Sequence, residues 1–329
     1  MLIDSHFSHF ERSITSVPFT SPDGLRSSCF SHPCNARYRM NRPARYRDAM
    51  TTHQDDSAPG VTCALPLHHQ IIGAPPLAGA VEAPPLLMLH GLFGSASNWR
   101  TVGRQLASRR AVLAADLRNH GASPWCDTMT YAEMAADVLS LLDRLAYSRV
   151  DLLGHSMGGK VAMVFALRYP QRVRRLVVVD MAPVVYPPRL LSYVHAMQAV
   201  DLSRGATRNQ VDRQLARDIA PPAVRAFLLQ NLRRTDAGWR WRVNLAALGA
   251  QMPVISGFPD AVAQETVFTG HSLFVYGEQS DYVRPPLHAR IEALFPLARL
   301  HGIAAAGHWV HAEQPDALLS AVERFLSAL

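Results

Sequence analysis

The sequence predicts an α/β protein built on a mostly parallel central sheet, with a helical segment inserted part-way along. Short apolar runs recur with amphipathic stretches between them: Leu86-Leu87-Met88-Leu89, Ala111-Val112-Leu113-Ala114-Ala115, Val150-Asp151-Leu152-Leu153 and Leu176-Val177-Val178-Val179. Continuous runs of this length suit strands buried on both faces, the mark of a parallel sheet. Gly154-His155-Ser156-Met157-Gly158 joins the third run to a helix-like stretch from Lys160 to Tyr169. After Asp180 the alternation stops, and residues 184 to about 264 are mostly helical in pattern.

Taken in order, residues 1–65 scatter Ser, Pro, Arg and His without periodicity, which predicts a disordered or loosely packed extension. Its composition resembles a transit peptide, but Asp4, Glu11, Asp23 and Asp48 argue against one. A start at Met40 or Met50 instead of Met1 is an equal expectation. The predicted core comprises residues 66–183 and 265–329. Within it, Thr130-Tyr131-Ala132-Glu133 forms a capping box, opening a helix with Met134, Val138, Leu141, Leu142 and Leu145 at helical spacing. The insertion, residues 184–264, breaks at Pro187-Pro188, Pro221-Pro222 and Gly257-Phe258-Pro259. Strand signals resume at Leu273–Gly277 and Leu297–Ile303, and residues 315–329 close as an amphipathic helix. Such an insertion is expected to act as a lid over the C-terminal edge of the strands, where open α/β sheets bind ligands.

Composition narrows the function. The chain has 329 residues, 48% of them hydrophobic, ample for a large core. The net charge is +7 and Lys160 is the sole lysine. Its arginines are spread rather than blocked, which argues against a nucleic-acid partner. No apolar run is long enough to span a bilayer. Four cysteines without a C-x-x-C pair fit a free-thiol, cytoplasmic protein. No ligand cluster has metal spacing, so neither metal nor cofactor is expected. A small-molecule ligand and a monomeric or homodimeric state are the remaining expectations.

Four segments follow predicted strands and so project from one sheet edge: His90-Gly91-Leu92-Phe93-Gly94, Asp116–Gly121, the Ser156 turn and Ala306-Gly307-His308-Trp309. A Gly-x-Ser-x-Gly arises by chance in roughly one chain in ten of this size, so its place between strand and helix carries the reading. There it forms a nucleophile elbow. The set HGLFGSASNW, DLRNHGASP, GHSMGGK, VVDMAPVVY and AGHWVHAEQP resembles the α/β-hydrolase family. More narrowly, it resembles the small bacterial YbfF-type esterases and their mitochondrial relatives. The resemblance runs from about residue 85 to the C-terminus, dense at the sheet edge and thin in the insertion.

It implies a serine hydrolase acting on carboxylic esters, and on acyl-CoA thioesters as well. Ser156 is the expected nucleophile and His308 its base, since a hydroxyl attacks only once a base takes its proton. His311, the rival histidine, is expected in solvent at the start of the last helix. The backbone N–H groups of Leu92 and Met157 are the expected oxyanion donors. His90 is expected to brace its loop, and His155 to pack facing away from the serine hydroxyl. For the acid, the common superfamily position holds Ser280 and Asp281 lies one residue further on. The resembling esterases place the acid at the Asp180 position with a serine at the Ser280 position assisting, so Asp180 is favoured and Asp281 held in reserve. Leu190, Leu191, Val194, Met197, Phe227, Leu228 and Leu229 could line an acyl site, while Arg233 and Arg234 suit phosphate. The alternatives are a cofactor-free perhydrolase or C–C bond hydrolase of the same fold, and a non-catalytic ligand-binding protein.

Overall fold

The apolar runs become the strands of one seven-stranded sheet. In the computed structural model, the described residues are 64–73, 83–108, 110–203, 205–236, 238–259 and 266–328. The expected N-terminal extension, with Cys29, Cys34 and Cys63, lies outside them up to residue 63. Cys126 is half-buried and unpaired. Among the described residues no helix is long and apolar enough to cross a membrane.

The strands are β1 (His69–Ile72), β2 (Leu86–Leu89), β3 (Val112–Ala115), β4 (Val150–His155) and β5 (Val173–Val179). Beyond the insertion come β8 (His271–Gly277) and β9 (Ala298–Ile303). Their order across the sheet is β1-β3-β2-β4-β5-β8-β9, and within this sheet β1 alone of the described strands runs antiparallel. Every residue of β2, β3 and β4 is buried, as expected of strands covered on both faces. Side chains alternate between two cores: Leu87, Leu89, Leu113 and Leu152 face one, and Leu86, Met88, Val112 and Leu153 the other.

Helices fill both faces. α1 (Arg100–Leu106) and α10 (Pro315–Ser327) contribute to the second core, and α2 (Tyr131–Arg144) and α3 (Met157–Arg168) to the first. α2 starts where its capping box predicts. The Glu133 amide donates to the Thr130 hydroxyl at 3.2 Å, and the Thr130 amide donates to the Glu133 carboxylate at 2.9 Å. Its buried face of Met134, Val138, Leu141 and Leu142 contributes about 1.5–3 kcal/mol per large side chain. α8 (Pro285–Leu294) and the short α9 (Val310–Glu313) complete the C-terminal half.

Between β5 and β8 the chain forms α4 (Leu191–Gln198), α5 (Arg208–Leu215), α6 (Pro222–Leu228) and α7 (Leu245–Ser256). The mostly helical reading missed a β-hairpin here: β6 (Leu232–Thr235) pairs antiparallel with β7 (Gly238–Trp241). Arginines at 233, 234 and 240 obscure its period-two pattern. Trp239 and Trp241 anchor it, their indole N–H groups donating to the Ala206 and Met197 carbonyls at 2.7 and 3.0 Å.

Candidate active site

Ser156 occupies the sharp turn from β4 to α3, with φ 54° and ψ −120°. A side-chain-bearing residue pays strain for that conformation. The flanking glycines show why the turn needs them. A Cβ on Gly154 would lie 2.1 Å from the Gly158 carbonyl oxygen, and one on Gly158 2.5 Å from that of His90. The helix therefore starts hard against the strand ends, which holds the serine up at the sheet edge.

His308 reaches this edge from the loop after β9. Its Nε2 lies 3.0 Å from Ser156 Oγ and its Nδ1 2.7 Å from Asp180 Oδ2. Asp180 directly follows β5, beside the nucleophile strand, with a left-handed φ of 51°. Its carboxyl is fully buried and accepts from the Ser280 hydroxyl at 2.5 Å and the Gly277 amide at 3.1 Å. Burial raises the carboxyl to about 8, and these two donors keep it from rising further. With Nδ1–H donating to the carboxylate, the Nε2 lone pair faces the serine hydroxyl. The arrangement can take a proton from Ser156 Oγ and hold the resulting imidazolium next to a negative charge.

Asp281 turns outward. Its side chain is 39% exposed and pairs with Arg284 at 2.5 Å. Neighbouring residues of the extended loop thus diverge, and it is Ser280 that points inward. A polar relay extends from Ser280 to the insertion. The Tyr282 amide donates to Ser280 Oγ at 3.2 Å, the Tyr186 hydroxyl donates to the Tyr282 carbonyl at 2.6 Å, and the Ala182 amide donates to that hydroxyl at 3.0 Å.

Other histidines form the wall behind His308. The His155 ring lies 4.8 Å from that of His308 and its Nε2 is 2.9 Å from the His308 carbonyl oxygen. Burial and the neighbouring His308 hold its pKa down at about 3. His311, expected in solvent, is half-buried. It packs 4.7 Å from His155 and 5.1 Å from Trp99, and burial followed by the other two histidines lowers its pKa well below normal. Both rings are thus neutral packing groups.

The loop from His90 to Gly94 crosses directly over the serine: a Cβ on Gly91 would meet Ser156 Cβ at 3.1 Å. His90 Nε2 accepts from the Leu117 amide at 2.9 Å and His120 Nε2 from the Phe93 amide at 3.2 Å. Asn231, from the insertion, donates to the Phe93 carbonyl at 2.7 Å. Leu92 follows Gly91 in this loop. Met157 is the first residue of α3, where backbone N–H groups have no intrahelical partner.

A narrow cleft of about 40 Å³ opens beside Ser156, bordered by Leu92, Met157, Lys160, Tyr186, Leu190 and Tyr282 among others. Of the apolar insertion residues expected there, Leu190 reaches it, while Val194, Met197, Leu228 and Leu229 are buried in the core. Phe227 packs on Trp309 at 6.1 Å. Arg233 and Arg234 lie on exposed faces of β6, and neither is among the cleft residues. The sequence reading did not place Lys160, Tyr186 or Tyr282 here; the one available signal was a single lysine on the apolar helix behind the serine. Among the described residues no group of three His, Cys, Asp or Glu side chains could hold a metal.

Comparison with known proteins finds the same fold family. The profile of the α/β hydrolase fold matches residues 84–315. The sn-1-specific diacylglycerol lipase ABHD11 of Xenopus laevis is 40% identical over 258 residues, covering 76% of this chain and 82% of the relative. Esterase YbfF of Escherichia coli strain K12 is 37% identical over 244 residues, covering 74% of this chain and 93% of that protein. A solved marine microorganism esterase superposes with a TM-score of 0.74 at 32% identity, over 80% of this chain and all of its own.

Proposed function

The chain belongs to the α/β-hydrolase family, and on that premise we propose that it is a serine hydrolase of esterase or lipase type, cleaving carboxylic esters through an acyl-enzyme on Ser156. The observation that carries this reading is the unbroken line from Ser156 Oγ through the His308 imidazole to the Asp180 carboxylate, at 3.0 and 2.7 Å.

In the first step His308 Nε2 takes the hydroxyl proton as Ser156 Oγ bonds to the substrate carbonyl carbon. The carbonyl oxygen becomes an oxyanion, and the N–H groups of Leu92 and Met157 stabilise it. Collapse breaks the ester C–O bond, and His308 returns the proton to the departing alcohol. Water, deprotonated by the same imidazole, then releases the acid and restores Ser156. Asp180 holds the productive tautomer and offsets the imidazolium charge, with Ser280 positioning it. The segment between β5 and β8 serves as a lid that shapes the acyl site.

CoA thioesters are proposed as further substrates. Arg233 and Arg240 stand directly opposite each other across the hairpin, a like-charge pairing that an anionic phosphate would relieve. Unchanged thioesterase kinetics in an Arg233/Arg234 double alanine variant would count against phosphate binding there.

A panel of p-nitrophenyl esters tests the central reading. Turnover by the parent and its loss in Ser156→Ala are expected, with a residue on the order of 10³ over water from oxyanion and binding effects. Undiminished turnover by Ser156→Ala would overturn it.

A further inference from the structure

Lys160 has no place in the reaction just described, yet it is buried at 1% exposure against the same cleft as Ser156. It lies four residues after the serine, and its amide donates to the Ser156 carbonyl at 3.1 Å. Residues four apart share a helix face, and helical side chains lean toward the preceding turn. The Lys160 stem therefore runs back along the wall of the cleft that starts at the nucleophile.

Its ammonium has an unusual setting. Nζ donates to the carbonyls of Ser256 and Gly257 at 2.9 and 2.6 Å, where α7 ends. Two aromatic rings also approach it, that of Tyr186 at 4.9 Å and that of Tyr131 at 5.7 Å. An ammonium has three N–H donors. Two carbonyls and two ring faces compensate it only in part, since a buried charge ordinarily pairs with an opposite one. The titratable groups facing it, Tyr131 and Tyr186, are held neutral by burial. Burial lowers the lysine to about 7.

We infer that Lys160 is a specificity-determining residue that donates a hydrogen bond to an oxygen carried by the acyl chain, selecting short oxo- or carboxy-substituted acyl groups over plain aliphatic ones. This rests on the serine-hydrolase reading, because the acyl chain must be attached or about to be attached at Ser156. A carbonyl or carboxylate oxygen a few carbons from the ester would take the third N–H and complete the shell of the ammonium. An aliphatic chain in the same place would leave that donor without an acceptor, which is the asymmetry through which enzymes reject an analogue lacking a polar group.

The test measures kcat/KM by pH-stat for methyl pentanoate, methyl 4-oxopentanoate and monomethyl succinate, with wild type and Lys160→Met. Wild type is expected to favour at least one oxygen-bearing ester by about tenfold. Preference for the succinate alone identifies a carboxylate as the ligand, and preference for both identifies any oxygen acceptor. In Lys160→Met the ratio is expected to fall close to unity. A ratio unchanged in the variant would overturn the proposal, as would equal loss on all three esters, the mark of a purely structural lysine.

Should the variant fail to fold, the wild type alone decides. The 4-oxopentanoate to pentanoate ratio cancels the shared His308 ionisation. It is expected to be highest below about pH 7 and to fall as Lys160 loses its proton. A flat ratio from about pH 6 to pH 9 sinks the idea. An active wild type without any preference defeats this proposal alone. A wild type inert on all three esters, or an undiminished Ser156→Ala, defeats the parent reading with it.

Discussion

Replacing Asp180 by Asn separates the buried carboxylate from its exposed neighbour Asp281. In the native site His308 Nδ1–H donates to Asp180 Oδ2 at 2.7 Å, which leaves the Nε2 lone pair toward Ser156 Oγ at 3.0 Å. An asparagine NH₂ at that position donates instead, so Nδ1 becomes the acceptor and the proton moves to Nε2. The imidazole then has no lone pair for the serine proton. Loss of the right tautomer in an otherwise intact serine–histidine–aspartate site costs about 10⁴ in kcat, or roughly 5.5 kcal/mol of transition-state stabilisation. Asp281 gives the contrast. Its pair with Arg284 is 39% exposed on both sides, and such pairs are worth less than about 1 kcal/mol. Asp281→Asn should therefore change kcat/KM by less than about fivefold. Both variants are assayed with p-nitrophenyl butyrate under first-order conditions, with circular dichroism as a control for folding. If Asp281→Asn alone collapses the rate, or Asp180→Asn keeps a tenth or more of it, the carboxylate has been misassigned.

Three further perturbations probe the same site and its lysine. Ser280→Ala removes the 2.5 Å hydrogen bond to Asp180, one of the donors that lowers its pKa. The expected result is a loss of about tenfold in kcat/KM, with the acidic limb of the pH–rate profile moved to higher pH; an unmoved limb would exclude the proposed positioning role. Gly154→Ala drives a Cβ into the Gly158 backbone, 2.1 Å from its oxygen, and should destabilise the fold by about 3 kcal/mol or more, read from urea midpoints. Lys160 makes stability depend on pH. Its folded pKa of about 7 lies below the ordinary 10.5, so between these values the unfolded chain holds a proton that the folded one has lost. Stability should rise with pH from about 7 toward 10, by on the order of 4 kcal/mol in total. A Lys160→Met variant with the same slope would show that the rise comes from other groups.

Much of this was legible because the informative residues are governed by local rules. The runs at Leu86–Leu89 and Val150–Leu153 are fully buried strands, and short apolar runs ahead of a tight glycine turn suit that environment. The capping box at Thr130 is a four-residue pattern and appears where it was read. What escaped depends on partners remote in sequence. β1 is four residues at the sheet edge, too short and too mixed to stand out. The hairpin at 232–241 hides its alternation under arginines that point outward while its tryptophans dock on the insertion. His311 looks like a solvated helix start until Trp99 and His155 close around it. The setting of Lys160 is the extreme case, because its two acceptors lie at the far end of the insertion.

The relay running from Ala182 through Tyr186 and Tyr282 to Ser280 ends on the carboxylate. The start of the insertion, at Tyr186, is thus linked by hydrogen bonds to the carboxylate beside His308. Swinging the inserted helices outward would tug the hydroxyl off Asp180, so access for a bulky ester and the proton affinity of the imidazole are geared together. A chimera carrying another relative's insertion should consequently shift its pH optimum even when every residue touching the acyl carbon is retained.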